Sequence, residues 1–236
     1  MRILLIGKGR MGTLIQEAAK SEGDAVLAAF HTDDICQLAA FDQPADVLLD
    51  FSSPEAIPFI SSYVKKTGTP LVCGTTGYGE AAHQQITLLA DYAPILCSAN
   101  FSVGITIIRR ILREFSAYLL NNGFEAELVE AHHNQKKDVP SGTGQTLIEE
   151  IDPHHLLKKV IGRSEGGARR PREIGIHSLR GGTEAGSHQV IFFGRDEQIK
   201  IAHSAASREV FARGALLAAR KLVGRGKGIY TFEEII

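Results

Sequence analysis

The sequence predicts an α/β protein that combines a Rossmann-like parallel-sheet unit with a smaller α+β unit carrying a mixed sheet. Short apolar strands alternate with helical patterns over roughly the first hundred residues, which is typical of βαβ units. A GxGxxG run, Gly7–Gly12, joins the first strand to the first helix. From Ile174 onward the pattern changes to consecutive strands joined by short turns. We therefore expect two domains, 1–103 with 207–236, and 104–206.

The first strand, Ile3–Ile6, is followed by a glycine-rich loop and then by a helix with apolar residues on one face. This is the context that a dinucleotide fingerprint requires, because the glycines permit a tight turn and let a pyrophosphate approach the helix N-terminus. The candidate cofactor contacts in this loop are Gly7, Lys8, Gly9, Arg10, Met11 and Gly12.

The second strand, Ala25–Phe30, is expected to end where the adenosine ribose of a bound dinucleotide lies. A strict NAD enzyme often has an acidic residue there, whereas in this chain His31 and Thr32 precede Asp33. His31 and Thr32 are compatible with a 2′-phosphate, and an equally good interpretation is that these residues only turn the chain. Thr32 and Asp33 are candidate cofactor contacts, and the choice between NADPH and NADH stays open.

The alternation of strand and helix continues after this turn. Ser53 and Pro54 are expected to begin a helix as its cap and its first residue. The predicted elements are a strand at Val47–Phe51, a helix from Pro54 to about Lys66, a strand at Leu71–Cys73, a helix near Glu80–Ala90, a strand at Ile95–Ser98, a helix from Val103 to near Asn121 and a strand at Glu125–Val129.

Two of these strands lead into loops of small and polar residues. Because open α/β sheets bind ligands at the carboxyl ends of their strands, we expect both loops to line the cofactor, although turn formation alone would also explain them. The candidate contacts are Gly74, Thr75 and Thr76 after one strand, and Ser98, Ala99, Asn100 and Phe101 after the next.

The most informative stretch runs from Glu130 to Gly144 and contains two histidines, two lysines and a Ser-Gly-Thr helix start. Ser141 or Thr143 can cap that helix, and Gly142 lets backbone N–H groups approach a ligand. With the lysines adding positive charge and a histidine able to exchange protons near neutral pH, the stretch is suited to bind an anion. The ordinary alternative is a solvated turn, since paired histidines at a strand end are usually surface groups.

The stretch 158–172 is rich in glycine and arginine and predicts a long loop, with Arg169, Arg170 and Arg172 on a solvated face rather than on an anionic ligand. The strands that follow are expected to pair antiparallel with one another. They are Ile174–Leu179, His188–Gly194 and Gln198–Ala205. Ser207 is expected to cap a last helix that returns to the first domain, with a short apolar tail packed behind it.

Composition excludes several classes of protein. A formal net charge of -1 with 44% hydrophobic residues argues against a nucleic-acid or membrane-surface binder, which should carry a basic excess. There is no apolar run of about 18 residues and no signal peptide, so no membrane span is expected. Cys36, Cys73 and Cys97 form neither a CxxC pair nor a zinc-like cluster. We therefore expect free thiols, no metal and a reducing cytoplasm.

Several motifs occur in the order in which one family carries them: Gly7–Gly12, Gly74–Gly77, Asn100–Gly104, Glu130–Thr143 and Ala205–Arg208. Through them the sequence resembles the dihydrodipicolinate reductases (4-hydroxy-tetrahydrodipicolinate reductases) of the bacterial lysine and diaminopimelate pathway. The resemblance covers nearly the full length, and its His-His…Lys…Pro-Ser-Gly-Thr signature is highly specific.

The resemblance implies an NAD(P)H-dependent reduction of a cyclic, unsaturated dicarboxylate to tetrahydrodipicolinate. It also implies a dinucleotide-binding domain and a substrate-binding domain whose sheet builds a homotetramer. By motif, His132 and Lys136 would be the catalytic residues that transfer protons. The substrate carboxylates would be held by His133, Ser141, Gly142 and Thr143.

The sequence also departs from the family pattern. Many members have an extra residue in the glycine loop and an acidic-basic pair where this chain has His31 and Thr32. Asn134 and Gln135 replace a more basic pair, and the span between the second and third strands is short. We expect these differences to affect nucleotide preference rather than the reaction.

Two other classes of function are compatible with parts of the sequence. Another Rossmann-type oxidoreductase, acting on a different amino-acid-derived carboxylate, would keep the glycine loop but would not need Lys136 beside Ser141–Thr143. A nucleotide-binding redox sensor would have no need of His132 and Lys136 on one short stretch. Nucleotide binding without turnover of a dicarboxylate would favour the sensor.

Overall fold

The computed structural model describes residues 1–163 and 166–236. The contacts among these residues divide the chain into two compact units, Met1–Val103 with Arg208–Ile236, and Gly104–Ser207. We call them the first and the second unit. The assignment of nucleotide binding and substrate binding to two separate domains stays a prediction.

The element bounds follow the apolar patterns of the sequence. Among the described residues the strands are β1 (Arg2–Ile6), β2 (Ala25–Phe30), β3 (Val47–Asp50), β4 (Leu71–Cys73), β5 (Pro94–Cys97), β6 (Glu125–His132), β7 (Lys158–Ile161), β8 (Glu173–Arg180), β9 (Ser187–Phe193), β10 (Gln198–Ser204) and β11 (Gly228–Tyr230). The α-helices of the same residues are α1 (Arg10–Ser21), α2 (Ile57–Thr67), α3 (Glu80–Leu88), α4 (Val103–Asn121), α5 (Gly142–Ile151), α6 (Glu209–Leu222) and α7 (Phe232–Ile235). Short 3₁₀ helices lie at Ile35–Ala40, Pro54–Ala56 and Leu89–Asp91.

The first unit is built on a parallel sheet with strand order β11-β5-β4-β3-β1-β2. Both of its faces are covered, so β1 is apolar at every inner position: Ile3 and Leu5 pack in a cluster with α1 and α6, while Leu4 and Ile6 pack with α2. The tail adds β11 beside β5, and Phe232 is buried behind it. The predicted Rossmann-like architecture is confirmed.

The second unit is built on a mixed sheet with strand order β10-β9-β6-β8-β7. Its inner face packs on α4 and α5 through apolar residues such as Leu128, Ile176 and Phe192. The late strands do not simply pair antiparallel with one another, as the sequence suggested. β6 lies between β8 and β9, parallel to β8 and antiparallel to β9, because its long alternating pattern makes it the central strand.

The stretch 158–172 is not one long loop. Lys158–Ile161 forms β7, which pairs in parallel with β8, and Ser164 and Glu165 lie outside the described residues. Arg169 is not on a solvated face either. Its guanidinium is 3.2 Å from Glu125 and 3.3 Å from Glu127, because the register of β6 places both carboxylates on the same side of the sheet.

Helix starts agree with the sequence where a side chain can cap them. Ser141 is the N-cap of α5 and its hydroxyl accepts the N–H of Gly144 at 3.0 Å, whereas Thr143 lies inside the helix. Ser53 instead precedes the 3₁₀ turn that leads into α2, and its side chain makes no capping bond. Helix α6, which Ser207 was expected to cap, has Arg208 at its cap position and is followed by the short helix α7.

Among the described residues, no helix combines the length and the apolar character needed to cross a membrane.

Candidate active site

The nucleotide-binding candidates lie along the carboxyl edge of the parallel sheet. β1 lies between β2 and β3, so the glycine loop is at the topological switch point, where open α/β sheets bind ligands. Backbone bonds join the strand ends: Gly7 N donates to Phe30 O at 2.8 Å, and Gly74 N donates to Asp50 O at 2.7 Å. Ser98 N donates to Cys73 O at 3.0 Å, which adds the loop after β5 to the same edge.

The three glycines of the fingerprint have different surroundings. Gly7 has a φ of +107°, and a Cβ there would lie 2.2 Å from the Phe51 carbonyl oxygen. A Cβ at Gly12 would lie 1.9 Å from the Gly7 carbonyl oxygen, whereas a Cβ at Gly9 would meet no atom within 4 Å. The first and third glycines are therefore required by packing. The second leaves open space before the N-terminus of α1, which fits the approach of a pyrophosphate.

The turn after β2 is organised by Asp34, which sequence reasoning missed. Lys8 Nζ donates to Asp34 Oδ2 at 2.7 Å, and His31 N donates to Asp34 Oδ1 at 2.5 Å. The hydrogen bond from Lys8 lowers the pKa of Asp34. By contrast, the Asp33 side chain is 90% exposed, and one of its carboxylate oxygens lies 3.0 Å from His31 Nδ1. Thr32 is half-buried in the same turn.

The loops after β4 and β5 hold their shape through their own polar groups. Thr75 Oγ1 accepts Ser52 N at 2.8 Å, and Ser98 Oγ donates to Asn100 O at 2.6 Å. Gly74 packs directly under the Phe51 ring, where a Cβ would lie 2.1 Å from a ring carbon. Thr76 and Ala99 are exposed and available to a ligand.

Phe101 is part of the core rather than of a ligand-facing surface. Its side chain is 2% exposed, with ring centroids 5.4 Å from Phe51 and 5.3 Å from Phe232. It can therefore contact a cofactor only through its backbone.

Asp50 is a fully buried carboxylate at the end of β3 that sequence reasoning also missed. It accepts hydrogen bonds from Ser52 Oγ at 2.5 Å, Tyr78 Oη at 2.9 Å and Cys73 Sγ at 3.3 Å. Burial raises the pKa of Asp50. These bonds join the ends of β3 and β4 beneath the cofactor loops. The three cysteines of the chain, all among the described residues, are free thiols.

In the second unit the strand register gathers polar residues at one end of the inner face. His203, His188, Glu130 and Ser178 lie in one row across β10, β9, β6 and β8. His132 lies two residues beyond Glu130 on the same face of β6, in register with Arg180. The inner face of the sheet is apolar along most of the strands, and at this end of the strands it carries a buried polar cluster.

Glu130 is the centre of this cluster. Both of its carboxylate oxygens lie 3.1 Å from Ser141 N, and the Ser141 hydroxyl also donates to it. Ser178 Oγ donates at 2.8 Å and Arg180 Nη2 at 2.9 Å. Burial acts to raise the pKa of Glu130, but the hydrogen bonds from Ser141, Arg180 and Ser178 outweigh it and hold the pKa below its usual range.

His132 and His188 form a buried pair. Their ring centroids are 5.1 Å apart at an interplanar angle of 76°, and His132 Nδ1 lies 4.0 Å from Glu130 Oε2. Burial lowers the pKa of His132, while the Glu130 carboxylate opposes that effect. Burial and then the neighbouring His132 lower the pKa of His188 to about 4. His188 is therefore neutral at pH 7, and His132 is the member of the pair better placed to exchange a proton.

The helix start beside this pair is suited to an anion. Ser141 caps α5, and a Cβ at Gly142 would meet no atom within 4 Å, so the helix N-terminus has open space beside it. Thr143 follows in the first turn. Lys136 Nζ lies 2.9 Å from Asp138 Oδ1, and His133 Nδ1 accepts Gln135 N at 3.2 Å.

The structure thus brings some predicted residues together more directly than others. His132 and Ser141 meet at Glu130, and Lys136 is linked to the same carboxylate through Asp138 and Arg180, since Arg180 Nη2 also donates to Asp138 O at 2.7 Å. Within the part of the chain that the structure describes, the hydrogen bonds of His133 are local to its turn, with Gln135 N and Lys136 N as donors. Glu130, Arg180 and His188 were not assigned from the sequence, because their contacts depend on strand pairing.

Glu130, His132 and His188 also place one potential metal ligand each within 4.8 Å of one another. The Glu130 oxygens are already occupied by donors, among them a guanidinium, which is a poor neighbour for a cation. We therefore interpret the cluster as a hydrogen-bonding centre, and the absence of a metal stays a prediction.

The chain matches known families and proteins over its full length. The family described as "Dihydrodipicolinate reductase, N-terminus" matches residues 1–101, and "Dihydrodipicolinate reductase, C-terminus" matches residues 104–236. A protein named 4-hydroxy-tetrahydrodipicolinate reductase from Clostridium novyi (strain NT) is 39% identical over 249 residues, which cover 100% of this chain and 98% of the relative. Its namesake from Brachyspira hyodysenteriae is 37% identical, with 100% of both chains covered.

Among solved structures, a dipicolinate-bound dihydrodipicolinate reductase from Paenisporosarcina sp. TG-14 superposes with a TM-score of 0.76. The alignment covers 100% of this chain and 99% of that one, at 22% identity. At this identity the likeness concerns the fold.

Proposed function

The chain belongs to the dihydrodipicolinate reductase family, and from this premise we propose that it reduces 4-hydroxy-tetrahydrodipicolinate to tetrahydrodipicolinate with NADPH or NADH, in lysine and diaminopimelate biosynthesis. The proposal depends on two observations taken together. The family match covers the full length of the chain, and a cluster of proton-exchanging side chains lies beside the open N-terminus of α5. His132, Lys136 and the Ser141–Thr143 turn all belong to one stretch.

The first unit is the nucleotide-binding unit. A bound reduced nicotinamide nucleotide supplies the hydride. Gly9 and the N-terminus of α1 are suited to its pyrophosphate, and the exposed Thr76 and Ala99 can line the rest of its path. The remaining predicted contacts, including Lys8, Arg10, Met11, Thr32 and Asp33, belong to the same proposal.

The second unit is proposed to bind the substrate and supply protons. Loss of the 4-hydroxyl group of the substrate as water gives a conjugated imine. Hydride addition to that imine leaves an electron-rich enamine, which must then be protonated. His132 or Lys136 is suited to that step, because His132 is part of the buried Glu130 cluster and Lys136 is linked to it through Asp138, and imidazole and ammonium groups are both proton donors. The two carboxylates of the substrate are matched by the N-terminus of α5, with Ser141, Gly142, Thr143 and His133 as the proposed contacts.

The test is a coupled assay that follows NADPH or NADH absorbance, with substrate generated in situ from pyruvate and aspartate semialdehyde by the preceding enzyme. Oxidation that requires both enzymes is the expected result. Nucleotide binding without oxidation would contradict the proposal and favour the redox sensor. Turnover of a different amino-acid-derived carboxylate instead would favour the alternative oxidoreductase.

The same assay tests cofactor choice. In the turn after β2, the Asp34 carboxylate could accept a hydrogen bond from the 2′-hydroxyl of NADH, but Lys8 already pairs with it. The 2′-phosphate of NADPH could instead bind to Lys8 and His31 in the same turn. We therefore expect comparable kcat/KM for the two nucleotides. A preference of several hundredfold, equivalent to about 3–4 kcal/mol, would contradict this expectation.

We propose a homotetramer assembled through the outer face of the mixed sheet. The register places Val129, Leu179, Ile191 and Phe193 on the face opposite α4 and α5. Leu179 is 59% exposed and Phe193 is 40% exposed. Apolar side chains grouped on a sheet face in this way are typical of an association surface.

A cytoplasmic location is proposed from the free thiols, one of which, Cys36, is exposed. Cell fractionation with an antibody against the chain would test it, and recovery in a membrane or secreted fraction would contradict it.

A further inference from the structure

We propose that Glu130 is the positioning residue of the proton-transfer site, where one buried carboxylate fixes the start of α5 and the loop that carries Lys136 and places its negative charge against the His132 ring. The inference rests on the proposed function, because it assigns a role to a residue that is not expected to touch substrate.

The first link is to the anion-binding helix start. Glu130 receives both the backbone N–H and the hydroxyl of Ser141, while that hydroxyl accepts Gly144 N at 3.0 Å. A Cβ at Gly144 would lie 2.8 Å from Glu130 Oε2, so the glycine keeps room for the carboxylate beneath the first turn. The first turn of α5 is thereby fixed in direction relative to the end of β6.

The second link runs to Lys136 through two intermediates. Arg180 Nη2 donates both to Glu130 Oε1 at 2.9 Å and to Asp138 O at 2.7 Å. The Asp138 carboxylate in turn lies 2.9 Å from Lys136 Nζ. The chain of contacts Glu130–Arg180–Asp138–Lys136 ties an otherwise exposed loop to the buried end of β6.

The third link is electrostatic and runs to His132, whose Nδ1 lies 4.0 Å from Glu130 Oε2 and has no hydrogen-bond partner among the described residues. The charged and titratable groups that face His132 are Glu130, Lys136, Arg180, Asp138 and His188, with His203 behind His188. Glu130 and Asp138 favour the protonated ring, whereas Lys136 and Arg180 disfavour it. Glu130 is the larger of the two favourable influences, since its carboxylate is fully buried beside the ring.

The decisive experiment compares Glu130→Gln with wild type and with Glu150→Gln. Glu150 is a matched control, because it is a mostly buried carboxylate of the same unit that pairs with Arg109 and Arg113, away from the cluster. The readouts are kcat, KM for each substrate, and the titration of His132 by ¹H–¹⁵N NMR on the free protein.

In Glu130→Gln we expect kcat to fall by about tenfold or more, as when a supporting carboxylate is lost, and the His132 midpoint to move to lower pH. Arg180→Met should move the same midpoint to higher pH, since it removes a cation that disfavours the protonated ring. Glu150→Gln should leave both readouts unchanged. Opposite displacements in the two variants are an effect that a purely structural role would not produce.

An unchanged kcat with an unchanged His132 titration in Glu130→Gln would overturn the inference. So would a fall in kcat with the titration unmoved in both variants, which would leave only a structural role. If Glu130→Gln does not fold, Glu130→Asp takes its place, because the shorter side chain keeps the charge but draws the carboxylate away from His132. An unmoved kcat and His132 midpoint in Glu130→Asp would then overturn the inference. If wild type turns over no substrate, the proposed function fails, while the NMR titration still tests the role of Glu130.

Discussion

Two buried histidines on the same face of the mixed sheet have different surroundings, and the difference gives them different protonation behaviour. His188 lies between His132 and His203 and is 6% exposed, so its charged form has little solvent to stabilise it. His132 is at the end of β6, where Glu130 partly offsets the same cost. The same residue type can thus serve as a neutral packing group and as a proton carrier.

The lowered pKa of His188 predicts that the folded protein loses stability in mild acid. Its pKa is lowered from 6.5 to about 4, so between these values an unfolded histidine takes up a proton that folded His188 does not. Acidification through this window therefore favours the unfolded chain, by up to roughly 3 kcal/mol. Urea unfolding at pH 7, 6, 5 and 4 measures the slope.

His188→Gln is the comparison for that slope, since a glutamine has no proton to take up in this range. The variant is expected to be less stable at pH 7 but to show a flatter dependence on pH. Parallel slopes for the two proteins would show that His188 does not contribute.

Lys136 is predicted to act in the chemical step. In Lys136→Ala, kcat should fall by about 100-fold or more, the scale of a lost general acid, while the Kd for NADPH stays within about twofold of wild type. Stopped-flow turnover and nucleotide fluorescence titration measure the two quantities. Lys137→Ala, at the exposed neighbouring lysine, is the control. Equal turnover in Lys136→Ala and wild type would rule out the role.

Among the site residues, the sequence identified those that lie close together in the chain and missed those that are brought together by the pairing of β-strands. His132, Lys136 and Ser141 belong to one stretch whose residue types already suggest proton exchange and anion binding. Arg180 reaches Glu130 across a separation of 50 residues, and His188 joins it from the opposite neighbouring strand. Such contacts depend on the order and register of strands, which periodicity within one segment does not determine.

Among elements, the parallel sheet was predictable almost to the residue and the mixed sheet was not. Strands buried on both faces have continuous apolar runs, and β2, β4 and α4 begin and end where the sequence indicated. In the mixed sheet one face is exposed and β7 has few buried residues, so its pattern resembles that of a loop. The place of β6 between β8 and β9 likewise follows from topology rather than from any one segment.

Alanine substitutions at two glycines of the glycine loop are expected to have different effects, one on thermal stability and the other on nucleotide binding. Gly12→Ala should lower Tm by several degrees, because its Cβ would meet the Gly7 carbonyl oxygen at 1.9 Å and backbone would have to move, at about 1–3 kcal/mol. Gly9→Ala should leave Tm unchanged and weaken NADPH binding by about tenfold or more, since its Cβ would enter the space proposed for the pyrophosphate. Thermal unfolding and nucleotide titration of both variants measure the effects. Unweakened binding in Gly9→Ala would contradict the proposed path.

For the whole molecule, composition alone argues against a nucleic-acid binder, which stays a prediction, and the family followed from motifs spread over nearly the full length. The number of copies in the assembly could not be derived in that way. It depends on a sheet face whose apolar residues alternate with polar ones, and each such residue taken singly is ordinary for a protein surface. Only the pairing of strands shows that Leu179, Val129 and Phe193 share one face.

Assembly through that face predicts the behaviour of one charged substitution. Leu179→Lys should reduce the mass measured by sedimentation equilibrium below that of wild type, because it would bury a charge without a partner. Leu156→Lys, at a similarly exposed leucine outside the sheet, should leave the mass unchanged. A wild-type monomer, or a Leu179→Lys protein of unaltered mass, would contradict the proposed interface.

The first unit is made from both ends of the chain, and this has a consequence during synthesis. A nascent chain that has reached residue 207 contains all of the second unit, but α6, α7 and β11 of the first unit have not yet been translated. Until Ala212–Leu222 emerge from the ribosome, the side of the parallel sheet that carries Ile3 and Leu5 lacks the helix that buries it. The unit that is begun second is therefore the one that can be finished first. Nucleotide should protect the polypeptide from protease only after α6 and β11 have emerged from the ribosome, whereas the second unit should already resist cleavage before they emerge.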